Sequence, residues 1–261
     1  MVKIPVKTSI PQSDPPRSPR ETLPTMYDLP SENPEEPGLD EFHLKQSNLL
    51  SKTFQPTNQN PDQVFCATDL NLYYDVTHPQ WYKRPDWFGV SGVSKLYEGR
   101  ELRLSYVTWQ ERINPLVVVE LLSPSTEDED LGRTTSAAGQ PPTKWQVYEE
   151  ILRVPYYIIF SRYTNQLQFF QLTGARYQEQ ELAVSAPQIW IPELELGLSL
   201  WEGDYESCTR WWLRWCDRSG NLILTPTERA EQMRQQKEQA ILRAENLAQK
   251  LRELGVNPDE V

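Results

Sequence analysis

Leu116-Val117-Val118-Val119-Glu120-Leu121-Leu122 decides how this chain is read. Three of the seven residues are β-branched valines, and apolar side chains stand at both odd and even positions. A strand with that pattern belongs at the centre of a sheet covered on both sides. Glu120 is the exception. Residues 118, 120 and 122 share one face of a strand, so its carboxylate projects beside Val118 and Leu122. Burying an unpaired carboxylate there is costly or raises its pKa, so folding alone would not choose it. Either an arginine pairs with it or a cation does.

Outward from this strand the pattern alternates between sheet and helix. Arg84-Pro85-Asp86-Trp87-Phe88-Gly89-Val90 reads as a short buried strand entered through a proline. Val64 to Tyr74, and Leu102, Leu104 and Tyr106 with Arg103 and Ser105 between them, read as half-exposed strands. On the other side, Gly132 to Pro142 reads as a mobile loop, and Lys144 to Arg153 carries Trp145, Tyr148, Ile151 and Leu152 at helical spacing before Pro155. Tyr156–Phe160 and Leu167–Leu172 are expected to form a hairpin, and Ile189 to Leu200 a strand that ends the sheet. Trp201, Trp211, Trp212 and Trp215 around Tyr205 suit core packing better than base stacking. A mixed α/β sheet with a covered centre follows.

The ends differ from this core. Residues 1–40 hold nine of the 22 prolines and few aliphatics, so the segment cannot offset its ordering entropy and reads as a disordered arm. The globular domain is expected over 41–225, opening on a helix with Phe42, Leu44, Leu49, Leu50 and Phe54 that stops before Pro56. In 226–261, Thr225 and Glu228 form a capping box around Pro226. Ala230, Met233, Lys237, Ala240, Ala244, Leu247, Leu251 and Leu254 then follow a heptad-like spacing to Gly255. This predicts a coiled-coil-like helix, suited to a second copy of the chain or another helical partner.

Charge and composition narrow the function. The 261 residues carry 26 Lys and Arg against 37 Asp and Glu, a net charge of −11, and no segment is basic. The expected domain alone carries −7, from 16 basic and 23 acidic residues. Nucleic acid would therefore have to be held by a local patch or a metal site. Lys83, Arg84, Lys95, Arg100 and Arg103 are the best patch on offer, unless they are simply a solvated face. No apolar run is long enough to span a bilayer, and Met1-Val2-Lys3-Ile4-Pro5 opens no signal peptide. With three cysteines in no CxxC pair, the expectation is a cytoplasmic protein with reduced thiols.

Asp86 is a second acid at the start of a neighbouring strand. Asp86 and Glu120 together offer the hard oxygens that Mg²⁺ prefers; otherwise Asp86 caps a turn after Pro85 and Glu120 pairs with an arginine. Pro85-Asp86, Val118 to Thr126, Lys144 with Tyr148, Val154-Pro155-Tyr156-Tyr157 and Gly197-Leu198, in this order, resemble the Uma family of putative restriction endonucleases, a bacterial branch of the PD-(D/E)XK nucleases. The resemblance covers roughly 41–225. It implies a restriction-endonuclease-like mixed sheet flanked by helices and Mg²⁺- or Mn²⁺-dependent hydrolysis of DNA phosphodiesters. Asp86 and Glu120 match the family's metal ligands, with the Leu121 carbonyl as third, and Lys144 matches its catalytic lysine. The superfamily's usual lysine position, two residues after the acid, holds Leu122 here. The Gly132–Pro142 loop is longer than the family's spacing, and Tyr148 to Val154 is stretched by one residue.

Other motifs carry less. Glu127-Asp128-Glu129-Asp130 lacks EF-hand spacing and reads as a solvated loop or helix start. Glu41 and His43 read as surface residues, and with His78 as the only other histidine a Ser-His-Asp site has little to build on. The rival to the nuclease is a nuclease-like scaffold with an idle site, working as an interaction module through its C-terminal helix. Leu122 and the acidic balance favour that rival; the presence of both Asp86 and Glu120 favours the enzyme.

Overall fold

A computed structural model describes residues 40–123, 126–183 and 187–254. The proline-rich arm up to residue 39, Pro124, Ser125 and the expected helix end at Gly255 lie outside the described residues. Two compact units divide the chain, Met1–Glu41 and Phe42–Val261, and the second holds the sheets.

The elements are α1 (Glu41–Thr53), β1 (Val64–Ala67), β2 (Leu72–Tyr73), β3 (Tyr82–Lys83), β4 (Trp87–Ser91), β5 (Tyr106–Val107), α2 (Thr108–Glu111) and β6 (Val117–Leu121). Next come α3 (Glu127–Asp130), α4 (Lys144–Gln146), a π turn (Val147–Ile151), β7 (Tyr156–Phe160), β8 (Leu167–Thr173) and β9 (Arg176–Glu179). The last are β10 (Gln188–Ile191), β11 (Leu196–Tyr205), β12 (Cys208–Cys216) and α5 (Pro226–Glu253). The main sheet runs β1-β4-β6-β7-β8-β9. Its β6–β7 pair is parallel and its other pairs are antiparallel, so the sheet is mixed, as expected.

Strand β6 is buried along its whole length between β4 and β7. Val117, Val119 and Leu121 pack with Phe42, Leu49 and Leu50 of α1 and with Trp212, Leu213 and Trp215 of β12. Val118 and Leu122 face the other way, into a cluster with Phe88, Tyr157, Val147, Tyr148 and Leu152. Each fully buried valine or leucine contributes roughly 1.5–3 kcal/mol of apolar transfer, which fixes the alternation and with it the face of Glu120. Gln46 ties α1 to the second layer: it donates to the Leu213 carbonyl at 2.8 Å and accepts from the Leu213 N–H at 2.9 Å.

Several elements differ from the sequence reading. Val64 to Tyr74 is two strands in different sheets, broken at Asp69, whose φ of 50° lies in the left-handed region. Leu102 and Leu104 are exposed loop residues, and Arg103 is the side chain that points inward. It stacks 4.4 Å from the Phe65 ring centre and pairs with Glu111 at 2.7 Å, which reverses the expected alternation. Residues 188–205 are two strands of a separate sheet, β10-β11-β12, rather than the edge of the main one. Trp212 and Trp215 of that sheet are buried, with Trp201 and Trp211 packed against them.

The helix beginning at Lys144 starts on a capping box of Thr143 and Gln146 and widens into the π turn. A π turn takes up one residue more than an α turn, which accommodates the stretched spacing between Tyr148 and Val154. At the far end, α5 opens on the expected capping box of Thr225 and Glu228, and buried Arg214 forms a two-pronged pair with Glu228. Beyond that anchor Met233, Leu247 and Leu254 are exposed, and none of the described residues of α5 is buried. No helix among the described residues is long and apolar enough to cross a membrane.

Candidate active site

Strands β4 and β6 pair with Trp87 opposite Val119, which brings Asp86, just ahead of β4, alongside Glu120. The two acids are tied crosswise. The Asp86 N–H donates to Glu120 Oε2 at 3.3 Å, and the Leu121 N–H donates to Asp86 Oδ2 at 2.7 Å. Ser47 of α1 donates to the Asp86 carbonyl at 3.1 Å, holding that backbone in place. Glu120 is fully buried, whereas Asp86 keeps partial access to solvent.

Helix α4 and the π turn that continues it supply two further partners to the same carboxylate. Lys144 Nζ lies 3.1 Å from Glu120 Oε2, and the Tyr148 hydroxyl donates to Oε1 at 2.8 Å. Residues four apart share a helix face, so a helix packed on the Glu120 side of the sheet presents both at once. Lys144 also pairs with Asp130 Oδ1 at 2.8 Å, and Asp130 is fully buried. Asp86, Glu120 and Lys144 are thus brought together, with Leu121 between them.

Two of the sequence readings are corrected here. His43 is buried, not a surface residue, and its Nε2 lies 2.9 Å from the Leu121 carbonyl oxygen. Because that oxygen only accepts, Nε2 carries the hydrogen and donates it to the Leu121 carbonyl. Its spacing to Ser47 and Leu50 placed it on the apolar face of α1, a signal the sequence carries. Asp130, read as part of a solvated acidic run, sits in the site, while Glu127 and Asp128 beside it are exposed. The proposed basic patch is largely neutralised: Lys83 pairs with Glu129 at 2.9 Å, Arg84 with Asp69 at 2.5 Å, and Arg103 with Glu111.

The electrostatics follow from burial. Burial pushes the Glu120 carboxyl well above its usual value, against the pull of Lys144, and Asp130 and Asp86 push it further. Burial also raises Asp86, opposed by the Lys144 and His43 charges. Burial would lower the Lys144 ammonium, but Asp130, Glu120 and Asp86 outweigh it and hold the group well above the usual lysine value. Tyr148 is raised by burial and then by Glu120, so it stays a donor.

When all three are ionised, the carboxylates facing one ammonium leave an excess of two negative charges, which a divalent cation would offset. Asp86, Glu120 and the Leu121 carbonyl are hard oxygen donors of the kind Mg²⁺ and Mn²⁺ take, and so few protein ligands leave places for water and phosphate. Among the described residues no cluster of three His, Cys, Asp or Glu could hold a metal by side chains alone.

A family model described as Uma2, "Putative restriction endonuclease", matches residues 17–203. Among solved structures the chain is similar to one from Anabaena variabilis ATCC 29413, described as "a putative nuclease belonging to DUF820". The two are 10% identical with a TM-score of 0.42, over 61% of this chain and 76% of that one. No curated protein matches the chain. The family match runs through β4, β6 and α4, with Asp86, Glu120 and Lys144 all inside it, and spans well over half of the sequence; the chain belongs to the Uma2 family.

Proposed function

We propose that the protein is a divalent-metal-dependent endonuclease that hydrolyses phosphodiester bonds of DNA. The observation that carries this reading is the meeting of Lys144 Nζ with Glu120 Oε2 at 3.1 Å, beside an Asp86 whose carboxylate is held by the Leu121 N–H. Asp86, Glu120 and the Leu121 carbonyl would hold Mg²⁺ or Mn²⁺, which neutralises phosphate charge and lowers the pKa of water at the site. Lys144 is the catalytic cation: its ammonium stabilises negative charge developing on the phosphate in the transition state. Tyr148 orients Glu120 through its hydroxyl, and His43 orients the Leu121 carbonyl. Phosphate would enter on the side of Asp86, which is half-buried where Glu120 is fully buried.

The reading includes a cytoplasmic setting, supported by three free cysteines. It also gives α5 a role in association with a second copy or a helical partner, supported by its exposed Met233, Ile241, Leu242 and Leu247. The deciding experiment is cleavage of plasmid and linear DNA by purified protein with Mg²⁺ or Mn²⁺. Cleavage should vanish in EDTA and in folded Asp86→Asn and Glu120→Gln variants. DNA left intact across metals and salt would overturn the nuclease and leave the interaction module.

A further inference from the structure

We propose that Asp130, with Glu129 beside it, is a positioning residue that holds Lys144 at the reacting centre, an assignment that rests on the nuclease reading above. Where a lysine stands two residues after the acid on one strand, the strand itself sets their separation. Here Leu122 occupies that place, and the lysine arrives from α4 across the Gly132–Pro142 loop. Lysine is a flexible four-carbon stem, so its ammonium needs a fixed partner to stay on target.

The acidic pair grips Lys144 at both ends. Asp130 Oδ1 accepts from Nζ at 2.8 Å, and Glu129 Oε1 accepts from the Lys144 backbone N–H at 2.9 Å. The pair is itself anchored on two sides. The Tyr157 hydroxyl of β7 donates to the Asp130 carbonyl at 2.9 Å, and Lys83 of β3, the strand leading into Asp86, donates to Glu129 at 2.9 Å. One dipeptide therefore registers the lysine-bearing helix against β7, which pairs with the strand of Glu120, and against β3, which precedes Asp86.

Packing alone does not account for Asp130. Its Oδ2 is buried and has no hydrogen-bond partner among the described residues, and Lys144 already has Glu120. A second buried carboxylate gains folding little over an apolar side chain of similar size. What it adds is a fixed ammonium.

The test reads lysine position and turnover together. Reductive methylation of the native protein, followed at Lys144 by peptide mass spectrometry, is run beside steady-state cleavage of plasmid with Mn²⁺. Asp130→Asn should speed methylation of Lys144 several-fold and lower kcat by ~10–100-fold with KM for DNA little changed, as misplacement of a catalytic group does. Glu129→Gln should do the same more weakly, and Asp128→Asn, at an exposed neighbour, should do neither. Unchanged methylation in Asp130→Asn, or a loss lying wholly in KM, overturns the assignment. If Asp130→Asn does not fold, Glu129→Gln, at a side chain 35% exposed, decides: faster Lys144 methylation with a lower kcat supports the assignment, and the absence of either overturns it. Wild-type protein that cleaves nothing overturns the nuclease reading and the catalytic half of this assignment, while the methylation rates still decide whether Asp130 holds the ammonium.

Discussion

The Lys144 ammonium stands 3.1 Å from Glu120 Oε2, although a strand carries one and a helix, 24 residues later, carries the other. The contact answers the question raised by a carboxylate in an apolar strand: a lysine, not an arginine, is its partner. It leaves Glu120, Asp86 and Asp130 with one ammonium among them.

Removing that ammonium should strand two buried carboxylates. Lys144→Met is expected to lower unfolding free energy by about 3 kcal/mol, the low end of breaking a buried pair. DNA cleavage should fall by at least ~10²-fold, the scale of losing one group that stabilises transition-state charge. Urea denaturation and cleavage kinetics check the two halves separately.

Tyr148→Phe removes the donor to Glu120 Oε1 and nothing else from the packing. A hydrogen bond to a charged group contributes about 1.5–3 kcal/mol, so stability should fall by that order. Cleavage should slow in kcat, since in the proposed mechanism the tyrosine orients Glu120 and does not meet the DNA. A drop confined to KM would contradict this.

The metal-free protein should lose stability as pH rises above neutrality's acid side. Glu120 and Asp86 have carboxyls raised in the folded state, so between the ordinary carboxylate value and the raised one the folded protein binds more protons than the unfolded chain. Stability from these groups is complete below the ordinary value and declines as pH climbs through the raised one. Carboxyls held low, such as Glu129 and Glu228, act in the opposite sense and only in acid, so they no longer contribute to the slope above about pH 5. Melting temperature in EDTA should fall as pH climbs above the ordinary carboxylate range, and Glu120→Gln should flatten that slope.

Gly132→Ala should be costly for a reason that Gly139→Ala does not share. Both glycines have positive φ, at 67° and 80°, but a Cβ on Gly132 would lie 2.7 Å from Trp145, the residue next to Lys144. Backbone strain of about 1–3 kcal/mol applies to each. Only Gly132→Ala adds the collision, so it should melt lower and also slow cleavage.

Where α5 is cut should matter. Deleting 226–261 leaves Arg214, whose side chain is 1% exposed, without Glu228, and about 3–5 kcal/mol should be lost. Deleting 235–261 keeps the pair and should leave the melting temperature unchanged. Light scattering on that shorter deletion then reports association through α5 without a folding defect.

The central strand, the hairpin of Tyr156–Phe160 with Leu167–Leu172 and the capped C-terminal helix were legible because each depends on local pattern: apolar runs, period-two alternation, a capping box. Arg103 was not, because its inward turn depends on Phe65, on strand β1, and on Glu111 in the next helix, an arrangement no alternation encodes. Glu120 announced itself as a carboxylate out of place. By its sequence alone the chain determined a covered mixed sheet and an acid that folding does not explain, since burial periodicity is written in neighbouring residues. Which cation meets that acid, and that His43 and Asp130 leave solvent for Leu121 and Lys144, only the tertiary structure decided. A charged side chain's environment is set by what packs over it: His43 lies 78 residues from its Leu121 partner, and Asp130 reaches Lys144 only because α3 and α4 fold against the same face of the sheet.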